Sequence, residues 1–378
     1  MPKSRTSLGV LALALALPLV IAPAAGASAV ITELPGLPGY PTHRTIAVND
    51  LGQVVGAASG NGAPRAVQWA RGNVATDLGK GTPTGLNQIG QVLGLESVTG
   101  AGPYVQQPRI WHEGKVFDLT PSGSGWVVAS AINNNGVVPM TYSGSPSGYH
   151  QEHAAVWRDG KHTSLAVSGS HLSLSAINDA GVIAGSKTPM FTNDVHAFRC
   201  TNATTCTRLA TVSGSGSYSV EAINEAGVIV GNRGNQALRW EGGGVTVLST
   251  SGQVANGPQA LNERGDVVGW TTEFSGVRKA TLWPGGGKPV DLGVPGPSEA
   301  VAVNERGDVI GWTSADNPDA PRAFLWRAGK VSYLGSLGGA HSLPVALNDR
   351  GTIVGESTTA DGTLKAVKWT VISTTPLG

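Results

Sequence analysis

The sequence predicts an all-β protein, a β-propeller built from eight four-stranded repeats of about 38–46 residues. Three observations predict it. One ten-residue signature recurs eight times: AVNDLGQVVG, GLNQIGQVLG, AINNNGVVPM, AINDAGVIAG, AINEAGVIVG, ALNERGDVVG, AVNERGDVIG and ALNDRGTIVG. A second segment, of Ala-x-x-Trp type, follows each signature. Of the 378 residues 54 are Gly and only 13% are charged, a balance that favours turns and strands over long helices.

The signature reads as a hairpin. Its asparagines are Asn49, Asn87, Asn133, Asn178, Asn224, Asn262, Asn304 and Asn348, spaced 38 to 46 residues apart. Asn and Asp favour turns because their side chains bond nearby backbone. A Gly stands three residues after every Asn, which fits a type I turn followed by a residue of positive φ, the G1-bulge hairpin. The Val/Ile pair that follows has high strand propensity.

The third strand of each unit carries the aromatic anchor: AVQW to Trp69, PRIW to Trp111, AAVW to Trp157, ALRW to Trp240, ATLW to Trp283, AFLW to Trp326 and AVKW to Trp369. The fourth unit writes AFRC and puts Cys200 there. A short Gly-containing turn and an apolar strand ending in Leu come next, as in EGKVFDL and RAGKVSYLG. A single such unit cannot bury both faces, whereas units around an axis cover one another. The Trp then wedges between blades, and the Ala two before most of the asparagines allows close approach. Unequal loops and a period above 40 argue against an open solenoid. Closure needs one more strand: Val30 to Leu34, whose ELPGLPG parallels YLGSLGG from Tyr333, and Thr370 to Gly378 both qualify.

Residues 1–29 read as a secretory signal peptide, leaving 30–378 as a single propeller domain. Lys3 and Arg5 precede an apolar run from Leu8 to Ile21, and Ala27-Ser28-Ala29 forms a small-residue cleavage site. The apolar run is short for a bilayer span. Bacterial export to the extracellular space is therefore expected, with no membrane insertion after cleavage. Removing 29 of 378 residues leaves 349, and losing Lys3 and Arg5 takes the formal charge from +1 to −1. That balance offers no electrostatic footprint for nucleic acid. Cys200 and Cys206, within CTNATTC, are expected to form a disulfide that clamps one hairpin.

Leu334-Gly-Ser-Leu-Gly-Gly339, Ala346-Leu-Asn-Asp-Arg-Gly-Thr-Ile-Val-Gly355 and Ala366-Val-Lys-Trp369 together resemble the HAF family of bacterial extracellular repeat proteins. The resemblance runs through residues 30–378. It implies secretion and a propeller-like array, and it brings no catalytic motif. Most copies depart from Leu-Gly-x-Leu-Gly-Gly, keeping Asp-Leu-Gly or a bare Leu.

Three constellations could carry function. Asp50, Asp179, Glu225, Glu263, Glu305 and Asp349 follow the turn asparagines and would share one face, where Ca²⁺ would require converging oxygens. His150, Glu152 and His153, in the long insertion of the third unit, are metal-ligand types in what also reads as a solvated loop. That unit has Pro139 and Met140 where others have an apolar residue and Gly, which suggests an edge or a bulge. Trp270 and Trp312 occupy equivalent positions in neighbouring units, with Trp126 as a loop aromatic. Such rings stack on sugars or anchor interfaces, and they equally fill seams between blades.

The sequence carries no Gly-x-Ser-x-Gly elbow, zinc-protease helix or phosphate-binding loop. A secreted, non-catalytic interaction module with a polysaccharide or protein ligand and no cofactor is therefore expected. The alternative is an exported glycan-active hydrolase or lyase with acids at the channel mouth.

Overall fold

The computed structural model describes residues 28–372 apart from 71, 98–105, 145–151, 215 and 250–252. The expected signal peptide, residues 1–29, lies outside the described residues up to Ala27. The chain is an eight-bladed β-propeller of four-stranded antiparallel blades. Among the described residues one three-residue 3-10 turn, Pro284–Gly286, is the sole helical segment.

Seven blades are contiguous in sequence. In blade 1 the strands are Thr42–Val48, Val54–Ser59, Arg65–Trp69 and Ala75–Lys80. Blades 2 to 7 begin at Thr82, Val127, His171, Tyr218, Gln253 and Ser298. Outside blade 3, whose first strand is short, the first strands of consecutive blades pack beside one another around the axis. Blade 8 takes Gly338–Leu347, Thr352–Thr359 and Leu364–Ile372 from the C-terminal end and its outer strand, Ser28–Glu33, from the N-terminal end. The N-terminal candidate therefore closes the ring, with Ile31 opposite Trp369. Thr370 belongs to the third strand instead.

The expected turn forms in every blade. Each signature Gly has φ between 70° and 84°, as a G1 bulge requires. Its N–H donates to the carbonyl of the Asn three residues back. A second Gly, after the apolar pair, answers a different need. At Gly56, Gly185, Gly231, Gly269, Gly311 and Gly355 an added Cβ would lie 1.9–2.1 Å from a carbonyl oxygen of the first strand. The first strand bulges opposite this Gly, as between Val220 and Ala222. Only a residue without a side chain lets the two backbones approach this closely.

Blade 3 has Met140 at that position and no bulge in its inner pair. Its first strand shrinks to Val127–Ala129, ending opposite Met140. Pro139 therefore pairs only with Val156 of the third strand. The absent proline N–H costs nothing where the inner strand has already ended.

The seams hold the core. A Leu from the end of one blade is buried with the Trp of the next: Leu34 with Trp69, Leu119 with Trp157, Leu209 with Trp240, Leu248 with Trp283 and Leu334 with Trp369. Three of these indoles donate back across the seam, Trp69 to the Pro35 carbonyl at 2.7 Å, Trp240 to Ala210 at 2.7 Å and Trp283 to Leu248 at 2.8 Å. The wedge role is thus both apolar and polar. Burying an aromatic of this size contributes about 3 kcal/mol or more. In blade 4 Cys200 takes the Trp position, fully buried, and is bonded to Cys206 across the outer hairpin.

Candidate functional site

Strand alternation gives the ring two unlike faces. One carries the Asn turns near the axis and the tight third-to-fourth turns near the rim. The other, the loop face, carries the second-to-third connections and the links between blades.

The turn face is locked by two closed circuits of hydrogen bonds. Each signature Asn donates from Nδ2 to the backbone carbonyl of the Asn in the next blade, at 2.9–3.1 Å, and Asn348 returns the circuit to Asn49. Its Oδ1 accepts the N–H four residues on at 2.8–3.0 Å. All eight side chains are buried. The residue after each Asn makes the second circuit. Its side-chain oxygen accepts the equivalent backbone N–H of the preceding blade at 2.7–2.9 Å.

Asp50, Asp179, Glu225, Glu263, Glu305 and Asp349 belong to that second circuit, with Gln88 and Asn134 completing it. Each carboxylate therefore already holds a neighbouring blade. Burial pushes the Glu263 carboxyl above its ordinary range, and the charges of Glu225, Glu305 and Asp179 act in the same direction despite the Glu225 N–H bond. No group of three or more His, Cys, Asp or Glu side chains placed to hold a metal occurs among the described residues.

The other metal candidates separate. His150 lies outside the described residues. Glu152 accepts the Leu172 N–H and lies 3.3 Å from His171 of blade 4, so it ties two blades together. His153 stacks on Tyr142 with ring centroids 5.6 Å apart.

Trp270 lies in the second strand of blade 6, Val267–Glu273, and its indole packs closely over Gly257 of the first strand. The Arg278 guanidinium sits 4.0 Å from the ring centroid. Arg278 in turn reaches Glu299 of blade 7 at 2.6 Å. Glu299 is the cross-strand partner of Trp312. Trp270 and Trp312 are thus connected through Arg278 and Glu299 across the blade 6–7 seam, in a link that the sequence did not disclose. Trp126 precedes the first strand of blade 3, three blades from Trp270, and shares only the loop face with it. Two fully displayed aromatics stand on the same face: Phe191 is 98% exposed and Phe274, beside Arg278 in the blade 6 loop, is 84% exposed.

A second charged link crosses the closing seam. Arg44 of blade 1 approaches Glu356 of blade 8 at 3.6 Å. Burial raises the Glu356 carboxyl above its usual value, and Arg44 offsets this only in part. Glu356 occupies the strand position equivalent to Trp270 and Trp312, one residue after the close-approach Gly.

No protein-family model matches the chain, and no curated protein matches it in sequence. Solved structures do match in shape. The β-propeller domain of the Trilobed protease from Pyrococcus furiosus is 10% identical with a TM-score of 0.52, over 79% of this chain and 97% of that one. A puromycin hydrolase is 14% identical with a TM-score of 0.52, over 87% of this chain and 58% of that one. Virginiamycin B lyase from Staphylococcus aureus is 12% identical with a TM-score of 0.46, over 91% of this chain and all of that one. At these identities the likeness shows the propeller fold alone. The Pyrococcus furiosus propeller has an open velcro topology, whereas the ring here is closed by Ser28–Glu33.

Proposed function

We propose that the protein is an exported, non-catalytic binding module whose ligand, an extracellular polysaccharide or a protein, docks on the loop face at blades 6 and 7. The observation that carries this is the Trp270–Arg278–Glu299 arrangement beside Trp312. It gathers aromatic surface, a half-exposed guanidinium and a carboxylate at one seam. Aromatic and arginine side chains in such a group dominate binding surfaces. Export is supported by the N-terminal sequence and fits the Cys200–Cys206 disulfide, which persists in oxidising compartments. The HAF-like repeat signature fits the same reading.

The test is a screen of the protein from residue 30 onward against glycans and cell-wall polymers, with and without Ca²⁺, with product formation read in the same wells. Binding without turnover is expected. The double variant Trp270→Ala, Trp312→Ala should lose at least about tenfold in affinity with an unchanged far-UV spectrum, since anchor truncation costs about 2 kcal/mol. Unchanged binding refutes the aromatic site.

A glycan-active hydrolase or lyase is the second reading, favoured by Glu356. A carboxyl raised by burial, with the arginine beside it offsetting the rise only in part, keeps the property a general acid needs. Turnover that disappears in Glu356→Gln would replace the first reading with this one.

A further inference from the structure

We propose that the cleft between blades 7 and 8 on the loop face is a carbohydrate subsite selective for neutral sugar units. The inference rests on the binding-module reading and adds a second site and a ligand class to it.

The cleft is open to solvent, holds about 280 Å³ and is lined by Asp316, Asn317, Arg322, Tyr333, Ser336 and Ala340 among others. That is just under the roughly 300–1,000 Å³ of drug-sized ligand sites, which suits one small unit of a longer ligand. Asp316 and Asn317 come from the second-to-third loop of blade 7. Arg322 opens its third strand, Tyr333 ends its fourth, and Ala340 lies on the first strand of blade 8. Arg322 stacks over the Tyr333 ring with its guanidinium 4.3 Å from the centroid. It also forms an ion pair with Asp316. The arrangement repeats in blade 7 what Arg278 does in blade 6, where the aromatic is Trp270 and the acid Glu299.

The chemistry of the lining selects the ligand. Arg322 and Asp316 neutralise each other, so no net charge calls for an anion or a cation. Both remain open to solvent, with side-chain exposures of 43% and 65%. A guanidinium and a carboxylate side by side offer several donors beside acceptors, which is what vicinal hydroxyls need. The Tyr333 phenol is a further donor and acceptor. Ala320, Ala323, Gly335, Gly339 and Ala340 in the lining add no bulky side chain to the cleft. A uronate or phosphate gains no net attraction from the neutral pair while losing hydration of its own charge, and is disfavoured.

The ion pair makes the selectivity testable. The probes are neutral hexo-oligosaccharides and uronate oligosaccharides of equal length, titrated calorimetrically into wild type, Asp316→Asn and Tyr333→Phe. Wild type should bind the neutral probes at least tenfold more tightly than the uronates. Tyr333→Phe should weaken neutral binding severalfold. Asp316→Asn leaves Arg322 unpaired, so the preference should shift toward the uronate by tenfold or more. Neutral binding with no change in either variant would overturn the cleft while leaving the binding-module reading standing. Binding that is lost only in Trp270→Ala, Trp312→Ala assigns the sugar to blade 6–7 and also overturns it. No saccharide binding at all would overturn the cleft and leave a protein as the ligand of the binding module.

Discussion

Removing one asparagine from the buried circuit, Asn224→Ala, tests how the ring is held. Asn224 is 2% exposed, accepts the Val228 N–H at 2.9 Å and donates to the Asn262 carbonyl at 3.1 Å. The Asn262 carbonyl keeps its bond from the Gly265 N–H, so losing the donor there costs about 1 kcal/mol. The Val228 N–H is worse placed, in a residue only 3% exposed, and stranding a buried donor costs about 1–3 kcal/mol. Together the loss is about 2–4 kcal/mol. Unfolding entropy of about 2.1 cal/mol/K per residue gives roughly 0.7 kcal/mol/K for this chain, hence a melting point lower by about 3–6 °C. The control is Glu225→Ala in the outer circuit, whose loss leaves an exposed N–H that water can satisfy. It should shift stability by no more than about 0.5 kcal/mol. Differential scanning calorimetry of both variants decides. Equal shifts, or an Asn224→Ala melt within about 1 °C of wild type, would refute the assignment of cohesion to the inner circuit.

Three further outcomes follow from the same geometry. Gly231→Ala brings a Cβ to 2.0 Å from the Ser219 carbonyl, so the bulge must open and soluble, cooperatively melting protein should be largely lost; a wild-type melt contradicts the close approach. Glu263 has a folded pKa above its ordinary value of about 4.3, so its stabilisation is present at acid pH and is lost as pH rises through the raised value. Glu263→Gln keeps the acceptor for Glu225 and should therefore gain in urea midpoint relative to wild type between pH 4 and pH 7; a pH-independent difference contradicts it. Reducing Cys200–Cys206, which are six residues apart, should cost about 2 kcal/mol by loop-closure entropy, read as a lower melting point in dithiothreitol.

Local chemistry was legible in the sequence to the extent that it repeats. Asn followed three residues later by Gly specifies the hairpin, and Trp in the third strand specifies the wedge, because both act within or next to one unit. Even the closing strand was half visible, since Leu34 copies Leu334: the first donates its N–H to Ala366, the second to Ala323. The registry between blades was not legible. Asn Nδ2 meets the next Asn carbonyl only because eight copies close at one radius, and no spacing along the chain encodes that distance. The same limit hid the partnership of Trp270 with Glu299. Arg278 carries no repeat signature, and Glu299 sits where the other inner strands have Arg44, Thr82, Val128, Ser173, Ser219, Gly257 or Leu343. Pro139 suggested an edge or a bulge, and it does lie at a local edge, since the inner strand ends before reaching it.

The division between faces explains where variation can accumulate. On the turn face each buried Asn has a partner in another blade, so a change at one Asn disturbs the inner circuit of eight. On the loop face the connections bear no common bond, and blades 6 to 8 differ there from the rest. Blade 6 places Trp270 under Arg278, and blade 7 places Tyr333 under Arg322. In both the guanidinium lies over the ring, within 4.3 Å of its centroid, and the arginine side chain stays 43% exposed. A planar cation held this way loses little conformational freedom on binding, so more of each new hydrogen bond appears as affinity. Trp270 and Tyr333 therefore act as supports for Arg278 and Arg322. A ligand arriving at blades 6 to 8 meets the arginines, with their paired carboxylates, before it meets the rings.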